Sequence, residues 1–277
     1  MQNLLKSIFI AVFPVFGLFV VCYYSWQLLQ EGTNLLALGM IVAAIPVVIF
    51  FAGLFLKPVA RTKPYLHIYT ICIIIGLVIS FLGSTLDTNM QALILGSILC
   101  AGWILYLIWY SVFKKRDTTV LKVGEKFPNV TFENTQKEPV AVADFLGNPT
   151  IYLFYRGNWC PLCMAQIKEL VDQYKILEER GVQTVFISPQ PHGFSETLAK
   201  KHGLQFHFLT DAHNTAAKTL GILSKNGIPF GFQALGYDSD TVLPTVVITN
   251  KEGVIQFVDL TDNYRVRPEP DFFMKYV

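Results

Sequence analysis

Long apolar windows without charged residues dominate the first 116 residues of the chain. The windows span residues 7–30, 32–56, 64–86 and 88–113, and each is rich in Ile, Leu, Val, Phe and Ala. A helix needs about 20 apolar residues to cross the hydrocarbon core of a bilayer, so each window is long enough to span it. The pattern predicts an α-helical membrane domain of four transmembrane helices at residues 1–116.

The first window is a poor match to a cleaved signal peptide. It lacks a small-residue cleavage site, and its uncharged stretch is longer than a typical signal core. We therefore expect the window to stay in the protein as the first membrane helix.

From Asp117 onward, short runs rich in β-branched and aromatic residues alternate with helical patterns, which predicts an α/β domain with a partly parallel sheet at residues 117–277. The predicted strands are 150–155, 182–187, 206–209, 245–249 and 254–258. The predicted helices are an amphipathic segment after Cys163 that ends near Gly181, then 194–202 and 213–220. The segment 222–242 fits no regular element, and a surface insertion is favoured over a loop that covers an active site or touches the bilayer.

Charge divides the chain at the same place. Of 42 charged side chains, nine lie in residues 1–116, where the net charge is +5, while the rest of the chain carries −3. A mildly acidic α/β part without a basic stripe argues against nucleic-acid binding. The Lys and Arg residues of the first part all fall on one side of the predicted helices: Lys6, Lys57, Arg61, Lys63, Lys114, Lys115 and Arg116. The positive-inside rule then predicts an integral plasma (inner) membrane protein whose termini and α/β domain are cytoplasmic.

The chemistry of the chain is concentrated in the stretch FYRGNWCPLC, residues 154–163. A strand that runs into Cys-x-x-Cys and then into a helix places Cys160 at the helix N-terminus, where the helix dipole favours thiolate. Pro161 suits the first helical turn, and Cys163 lies one turn further on the same face. These positions predict Cys160 as the attacking sulfur and Cys163 as the resolving sulfur of a redox-active dithiol.

Two other interpretations of the pair remain open. Half of a zinc site would need a second set of ligands, but there is no other Cys-x-x-Cys and the histidines have no paired spacing, so we predict no metal and no cofactor. Two coincidental buried cysteines are the other alternative. Cys22, Cys72 and Cys100 are single residues in three predicted helices, which favours packing roles for them.

The region 120–277 resembles the peroxiredoxin-like redoxins of the AhpC/TSA group within the thioredoxin-fold superfamily. The segment VGEKFPNVTFENTQKEPVAVADFLGNPTIYLFY is similar to their N-terminal hairpin and first core strand. FYRGNWCPLC resembles the F-Y-R-G-x-W-C-P-x-C of one subgroup. VFISPQ, FLTDAHNTAAKTLGI, LPTVVITNKEGVI and VDLTDNYRVRPEP resemble the elements that follow in the same order.

The resemblance implies a thioredoxin-like fold, a thiol-dependent oxidoreductase and no cofactor. It implies Pro244 as a cis-proline that faces Cys160, and supporting roles for Trp159, Arg156, Pro161 and Thr245. The sequence also departs from the family. Peroxiredoxins that reduce hydroperoxides carry Thr or Ser three residues before the attacking cysteine, and this chain has Gly157 there.

The sequence therefore predicts a membrane-anchored thiol-disulfide oxidoreductase, peroxiredoxin-like, that uses Cys160 and Cys163. Its expected partners are a thioredoxin- or glutathione-type thiol donor, a disulfide or hydroperoxide substrate, and the lipid bilayer. The alternatives are a hydroperoxide reductase proper and a redox-sensing module without turnover. Electron transfer through the membrane would need paired cysteines in or beside the helices, and Cys22, Cys72 and Cys100 form no pair.

Overall fold

The structure is a computed structural model that describes residues 2–84, 90–113, 116–202 and 206–277. Asp87, Lys114 and Lys115, which enter the charge argument above, lie outside the described residues. The chain forms two compact units. The helical unit comprises Ile8–Pro58 and Thr62–Val112, and the α/β unit comprises Met1–Ser7, Val59–Arg61 and Phe113–Val277.

Four long apolar helices correspond to the four windows of the sequence. They are α1 (Gln2–Glu31), α2 (Leu35–Leu56), α3 (His67–Ser84) and α4 (Met90–Leu105), and a π-helical turn extends α4 through Tyr106–Tyr110. Asn34 caps α2, because its side chain accepts a hydrogen bond from the Ala37 N–H at 3.2 Å. Each helix is long and apolar enough to cross a membrane, which indicates membrane association.

Helices α2 and α3 pack with their backbones in contact along a row of small residues. A Cβ atom added to Gly39 would meet the backbone of Ser80, and one added to Gly76 would meet the backbone of Ala43. Such small residues allow close helix approach in a bilayer, where apolar burial alone gives helices little reason to associate. Beside this seam, the Trp103 indole N–H donates to the Thr70 hydroxyl at 2.9 Å.

The outer faces of these helices are apolar and exposed. Ile68 on α3 is 78% exposed, and Val15 on α1 is 64% exposed. Monomeric soluble proteins rarely present continuous apolar surfaces of this kind, so these faces are suited to lipid.

The α/β unit contains a seven-stranded mixed sheet with the strand order β2-β1-β5-β4-β3-β8-β9. The strands are β1 (Thr131–Glu133), β2 (Pro139–Ala141), β3 (Thr150–Phe154), β4 (Gln183–Ser188), β5 (His207–Thr210), β8 (Thr245–Thr249) and β9 (Ile255–Asp259). Strands β3, β4 and β5 are parallel, and β8 runs antiparallel to β3. The five predicted strands are confirmed within a residue or two, and the hairpin implied by the family resemblance corresponds to β1 and β2.

The helices of this unit are α5 (Pro161–Asp172), α6 (Tyr174–Glu179), α7 (His192–His202), α8 (Thr215–Thr219) and α9 (Pro270–Phe273). The single amphipathic helix expected after Cys163 is divided at Gln173, whose ψ of 4° departs from helical geometry. The apolar spacing continues across this break, so the periodicity alone did not reveal it.

The segment 222–242 is more ordered than expected. It contains the short strands β6 (Leu223–Ser224) and β7 (Thr241–Val242), which pair antiparallel, and we call residues 225–240 between them the cover loop. Within the loop, Phe232–Leu235 forms a 3-10 turn.

The core of the α/β unit lies along the central strands. Its buried members include Tyr152 and Phe154 of β3, Val185 and Ile187 of β4, and Val247 of β8. All five residues of β3 are buried, so packing fixes the position and direction of the strand. The segment that leaves β3 at that end carries the two cysteines.

Candidate active site

Hydrogen bonds to β4 and to Gln190 fix the backbone of the loop from β3 to α5. The Tyr155 N–H donates to the Ile187 carbonyl at 2.9 Å, and the Asn158 N–H donates to the Gln190 side-chain oxygen at 2.8 Å. Gln190 is buried, and its amide also donates to the Tyr155 hydroxyl at 2.9 Å. This hydrogen-bond network fixes the backbone that leads into Cys160.

Cys160 is the N-cap residue of α5, and Pro161 occupies the first helical turn, as predicted. The Cys163 N–H and the Met164 N–H both donate to the Cys160 carbonyl, at 3.0 and 3.1 Å. The two sulfurs lie 2.8 Å apart as free thiols, so one proton can be shared between them. Both cysteines are buried, and Cys160, at 3%, is the slightly more exposed residue, whereas Cys163 is fully buried.

A buried guanidinium contacts this pair. Arg267 donates from Nη2 to the Cys163 sulfur at 3.5 Å and from Nη1 to the Gln166 side-chain oxygen at 2.8 Å. Its Nε donates to the Tyr264 carbonyl at 3.0 Å. The side chain is therefore oriented by neutral partners, and its positive charge is directed at the dithiol.

The surroundings place the negative charge of the reduced pair on Cys163. Burial by itself raises the pKa of Cys163, but the hydrogen bond with Cys160 and the Arg267 guanidinium outweigh it and lower that pKa to about 5. The backbone N–H of Arg156 acts in the same direction. Burial and the interaction with Cys163 raise the pKa of Cys160, which therefore keeps its proton. The expectation that helix-dipole placement gives Cys160 the lower pKa is corrected here, because the fixed charge of Arg267 lies nearer to Cys163.

Arg156 and Trp159 form one cluster with the cover loop. The Arg156 guanidinium lies over the Trp159 ring at 4.8 Å and donates to the Gly227 carbonyl. The Trp159 ring makes an edge contact with Phe232, with centroids 5.7 Å apart. Tyr237 of the loop hydrogen-bonds the Asn158 side chain. The segment expected to be a surface insertion thus packs on the residues that precede Cys160, because its aromatic side chains find apolar partners there.

Gly157 has a backbone conformation that few other residues adopt. Its φ is +144°, and an added Cβ would lie 2.7 Å from the Trp159 indole nitrogen. This position, at which the family resemblance implies a Thr or Ser in hydroperoxide-reducing members, therefore favours glycine in this chain. The hydroxyl cannot be restored by a simple substitution.

Pro244 and Thr245 lie at the start of β8, and Thr245 is paired with Phe154 at the end of β3. The described residues contain no cis peptide bond, so the expectation that Pro244 is a cis-proline is wrong. The trans form is the intrinsically preferred isomer, and here the Pro244 carbonyl accepts a hydrogen bond from Arg116 at 2.7 Å. Arg116 also donates to the Thr245 hydroxyl.

Sequence reasoning missed two arginines of the site. Arg116 was counted only as a charge after the fourth helix, yet it is 9% exposed, and burial lowers its pKa to about 10. Arg267 lies in the ending VDLTDNYRVRPEP, whose family resemblance was the one signal that could have identified it.

A metal site at the two cysteines would require three or more ligands. Among residues 2–84, 90–113, 116–202 and 206–277, no group of three or more His, Cys, Asp or Glu side chains lies close enough to hold a metal ion. His192, the histidine nearest in sequence to Gln190, pairs with Glu133 at 2.6 Å.

Comparison with known proteins identifies the family that the α/β unit resembles. Residues 123–258, just under half of the chain, match the AhpC/TSA family. The chain is 28% identical over 137 residues to a chloroplastic peroxiredoxin Q of Sedum lineare, covering 49% of this chain and 67% of that protein. It is 28% identical over 104 residues to a putative peroxiredoxin bcp of Buchnera aphidicola, covering 38% of this chain and 66% of that protein. The chain spans about half to two thirds of the length of these and further curated relatives. Among solved structures, Enterococcus faecalis AhpC covers 56% of this chain and 89% of its own, at 19% identity and a TM-score of 0.44.

Proposed function

We propose that the AhpC/TSA-family domain at residues 123–258 is a thiol-dependent oxidoreductase whose working group is the Cys160–Cys163 dithiol. The observation that carries the proposal is a pair of sulfurs 2.8 Å apart at the start of α5, with the Arg267 guanidinium 3.5 Å from one of them. The relatives described as peroxiredoxins support the same class of chemistry.

The reaction begins at Cys160, which is the N-cap residue of α5 and the more exposed residue of the pair. Its proton passes to the Cys163 thiolate across the 2.8 Å contact as the Cys160 sulfur attacks one sulfur of a substrate disulfide. The other substrate sulfur leaves as a thiolate. Cys163 then loses its proton and attacks Cys160 in the mixed disulfide, which releases the second substrate thiolate. Two electrons pass to the substrate, and a Cys160–Cys163 disulfide remains for an external thiol donor to reduce.

A hydroperoxide reductase is the second candidate, since the similar curated proteins are described as peroxiredoxins. In that reaction Cys160 would attack a peroxide oxygen to give a sulfenic acid, which Cys163 would convert to the disulfide with loss of water. A redox sensor without turnover would use the same disulfide.

Turnover separates an enzyme from a sensor. We expect the full-length protein in lipid nanodiscs to oxidise NADPH continuously when a disulfide substrate is supplied with either thioredoxin and its reductase or glutathione and its reductase. The regenerating system without this protein is the control. Oxidation of Cys160 and Cys163 once per molecule, without continued NADPH use, would contradict the enzyme assignment and favour the sensor.

We also propose that the four apolar helices cross the cytoplasmic (inner) membrane with the α/β domain on the cytoplasmic side. The support is the position of the basic residues: Lys6 precedes α1, and Lys57, Arg61 and Lys63 lie between α2 and α3. Lysine and arginine of short loops remain on the cytoplasmic side during insertion. The thiol donor would then come from the cytoplasm.

Single reporter cysteines test this orientation. Thr33 lies between α1 and α2, Gln136 lies between β1 and β2, and both are exposed. In a chain whose five native cysteines are alanine, a membrane-impermeant maleimide should label Thr33→Cys in intact cells. It should label Gln136→Cys only after the membrane is opened. The opposite pattern would place the α/β domain outside the cytoplasm.

A further inference from the structure

The buried arginine beside Cys163 bears on the direction in which the dithiol works. Arg267 is 6% exposed, and its guanidinium contacts the deeper of the two sulfurs. It has no carboxylate among the partners that orient it, which are the Gln166 side chain and the Tyr264 carbonyl. A buried charge in this setting is stabilised most by an opposite charge, and the Cys163 sulfur is the acceptor within reach.

We propose that Arg267 holds the negative charge of the Cys163 sulfur as it departs from the Cys160–Cys163 disulfide, and so makes that disulfide a strong electron acceptor for small thiols. This inference rests on the proposed function, since it assumes that the two cysteines cycle between dithiol and disulfide.

Reduction by the donor begins with the oxidised protein. A donor thiolate attacks the accessible Cys160 sulfur, the Cys160–Cys163 bond breaks, and Cys163 leaves as a thiolate beside Arg267. A second donor thiolate attacks the donor sulfur of the mixed disulfide and releases Cys160, which takes up a proton. Two donor thiols become one donor disulfide, the protein gains two electrons, and one proton stays in solution because Cys163 remains ionised. A leaving group with a lower pKa departs faster, so Arg267 assists the first step as well as the equilibrium.

Several charged or titratable groups affect the ionisation of Cys163. The Cys160 thiol, the Arg267 guanidinium and the Arg156 backbone N–H favour the thiolate. Tyr155 is fully buried, and its raised pKa, caused mainly by desolvation, keeps it neutral. Because the pKa of Cys163 is lowered to about 5, the thiolate is the favoured form of this sulfur at pH 7, and its contact with Arg267 stabilises the reduced protein. Because this pKa is depressed on folding, the stabilisation is complete above the ordinary thiol pKa and is lost as the pH falls through about 5.

The chain offers matched variants. Arg267→Gln removes the charge. Gln166→Glu keeps Arg267 in place and gives it a competing carboxylate at the atom that now accepts its hydrogen bond. Arg267→Lys retains a charge, and Arg265→Gln removes an equally buried arginine two residues earlier.

The measurement is the equilibrium between the protein dithiol and glutathione at pH 7, made on the full-length protein in nanodiscs with Cys22, Cys72 and Cys100 as alanine. Arg267→Gln and Gln166→Glu should each make the disulfide at least about 10-fold harder to reduce, and Arg267→Lys should keep most of the wild-type value. Arg265→Gln should leave it nearly unchanged. The thiolate absorbance of the reduced protein near 240 nm should titrate near pH 5 in the wild type and at higher pH in the first two variants.

Each result has one meaning. Equal effects of Arg267→Gln and Arg265→Gln, or a Gln166→Glu equilibrium and thiolate midpoint equal to the wild type, would overturn the role of Arg267 while the oxidoreductase proposal stands. A wild-type protein that forms no reversible Cys160–Cys163 disulfide would overturn both.

Discussion

Cys160→Ser should abolish turnover with every disulfide or peroxide, whereas Cys163→Ser should accumulate a stable mixed disulfide with its substrate. A serine at position 160 has no sulfur to offer, and loss of an attacking residue lowers turnover by on the order of 10³-fold or more. Without Cys163 the intermediate has no internal thiol to resolve it. The measurement is mass spectrometry of the full-length protein after incubation with a model disulfide and acid quenching.

The location of the charge and the order of attack are separate questions in this site. Arg267 draws the negative charge to Cys163, but that sulfur is fully buried, while Cys160 is 3% exposed. Access therefore assigns the first attack to Cys160. Cys22→Ser, which changes an exposed cysteine of α1, is the control and should keep full turnover. A trapped adduct in Cys160→Ser in place of Cys163→Ser would reverse the two roles.

Disulfides should oxidise the reduced protein about 10² to 10³ times faster than hydrogen peroxide does at equal concentration. Cleavage of the O–O bond needs donors that stabilise charge on the departing oxygen, and removal of one preorganised donor typically costs about 10²–10³ in rate. Gly157 stands at the position where the family resemblance implies a hydroxyl donor. Disulfide exchange has less need of it, because its leaving group is a thiolate.

Rapid alkylation of the remaining thiols at timed intervals follows both oxidations in the full-length protein. Gly157→Thr is not expected to increase the peroxide rate, because its side chain would collide with Trp159 and its φ of +144° would be strained. If peroxide is the faster oxidant in the wild type, the Arg267 or Arg156 charge supplies the missing stabilisation and the hydroperoxide reductase takes first place.

Much of the fold was predictable because its signals are local. The five strands of 150–155, 182–187, 206–209, 245–249 and 254–258 are short apolar runs bounded by turn residues, and each is confirmed within a residue or two. The four apolar windows correspond to four helices for the same reason. The break at Gln173 was not predictable, since the apolar face of the helix continues past it.

Only the part of the candidate site that lies within one short stretch of sequence was predictable. Cys160, Pro161 and Cys163 follow from a strand that runs into a helix, which one stretch of ten residues encodes. Arg267 and Arg116 reach the site from positions 104 and 128 residues away from their partners Cys163 and Pro244. No local pattern marks such contacts, because each one joins residues that are far apart in sequence and meet only in the folded domain. The cis form of Pro244 was an expectation from the family resemblance, and no feature of the sequence indicated the Arg116 contact to its carbonyl.

The cover loop has a consequence for the rate at which partners reach Cys160. The Cys160 residue is 3% exposed, and Gly227, Phe232 and Tyr237 of the loop contact the residues that precede it. If a partner needs those contacts to open, it would reach the sulfur only on the microsecond-to-second time scale of lid motions. Donor concentration then controls the rate only until opening becomes the slower step. Beyond that point all donors share one ceiling, which is set by loop residues that take no part in the sulfur chemistry.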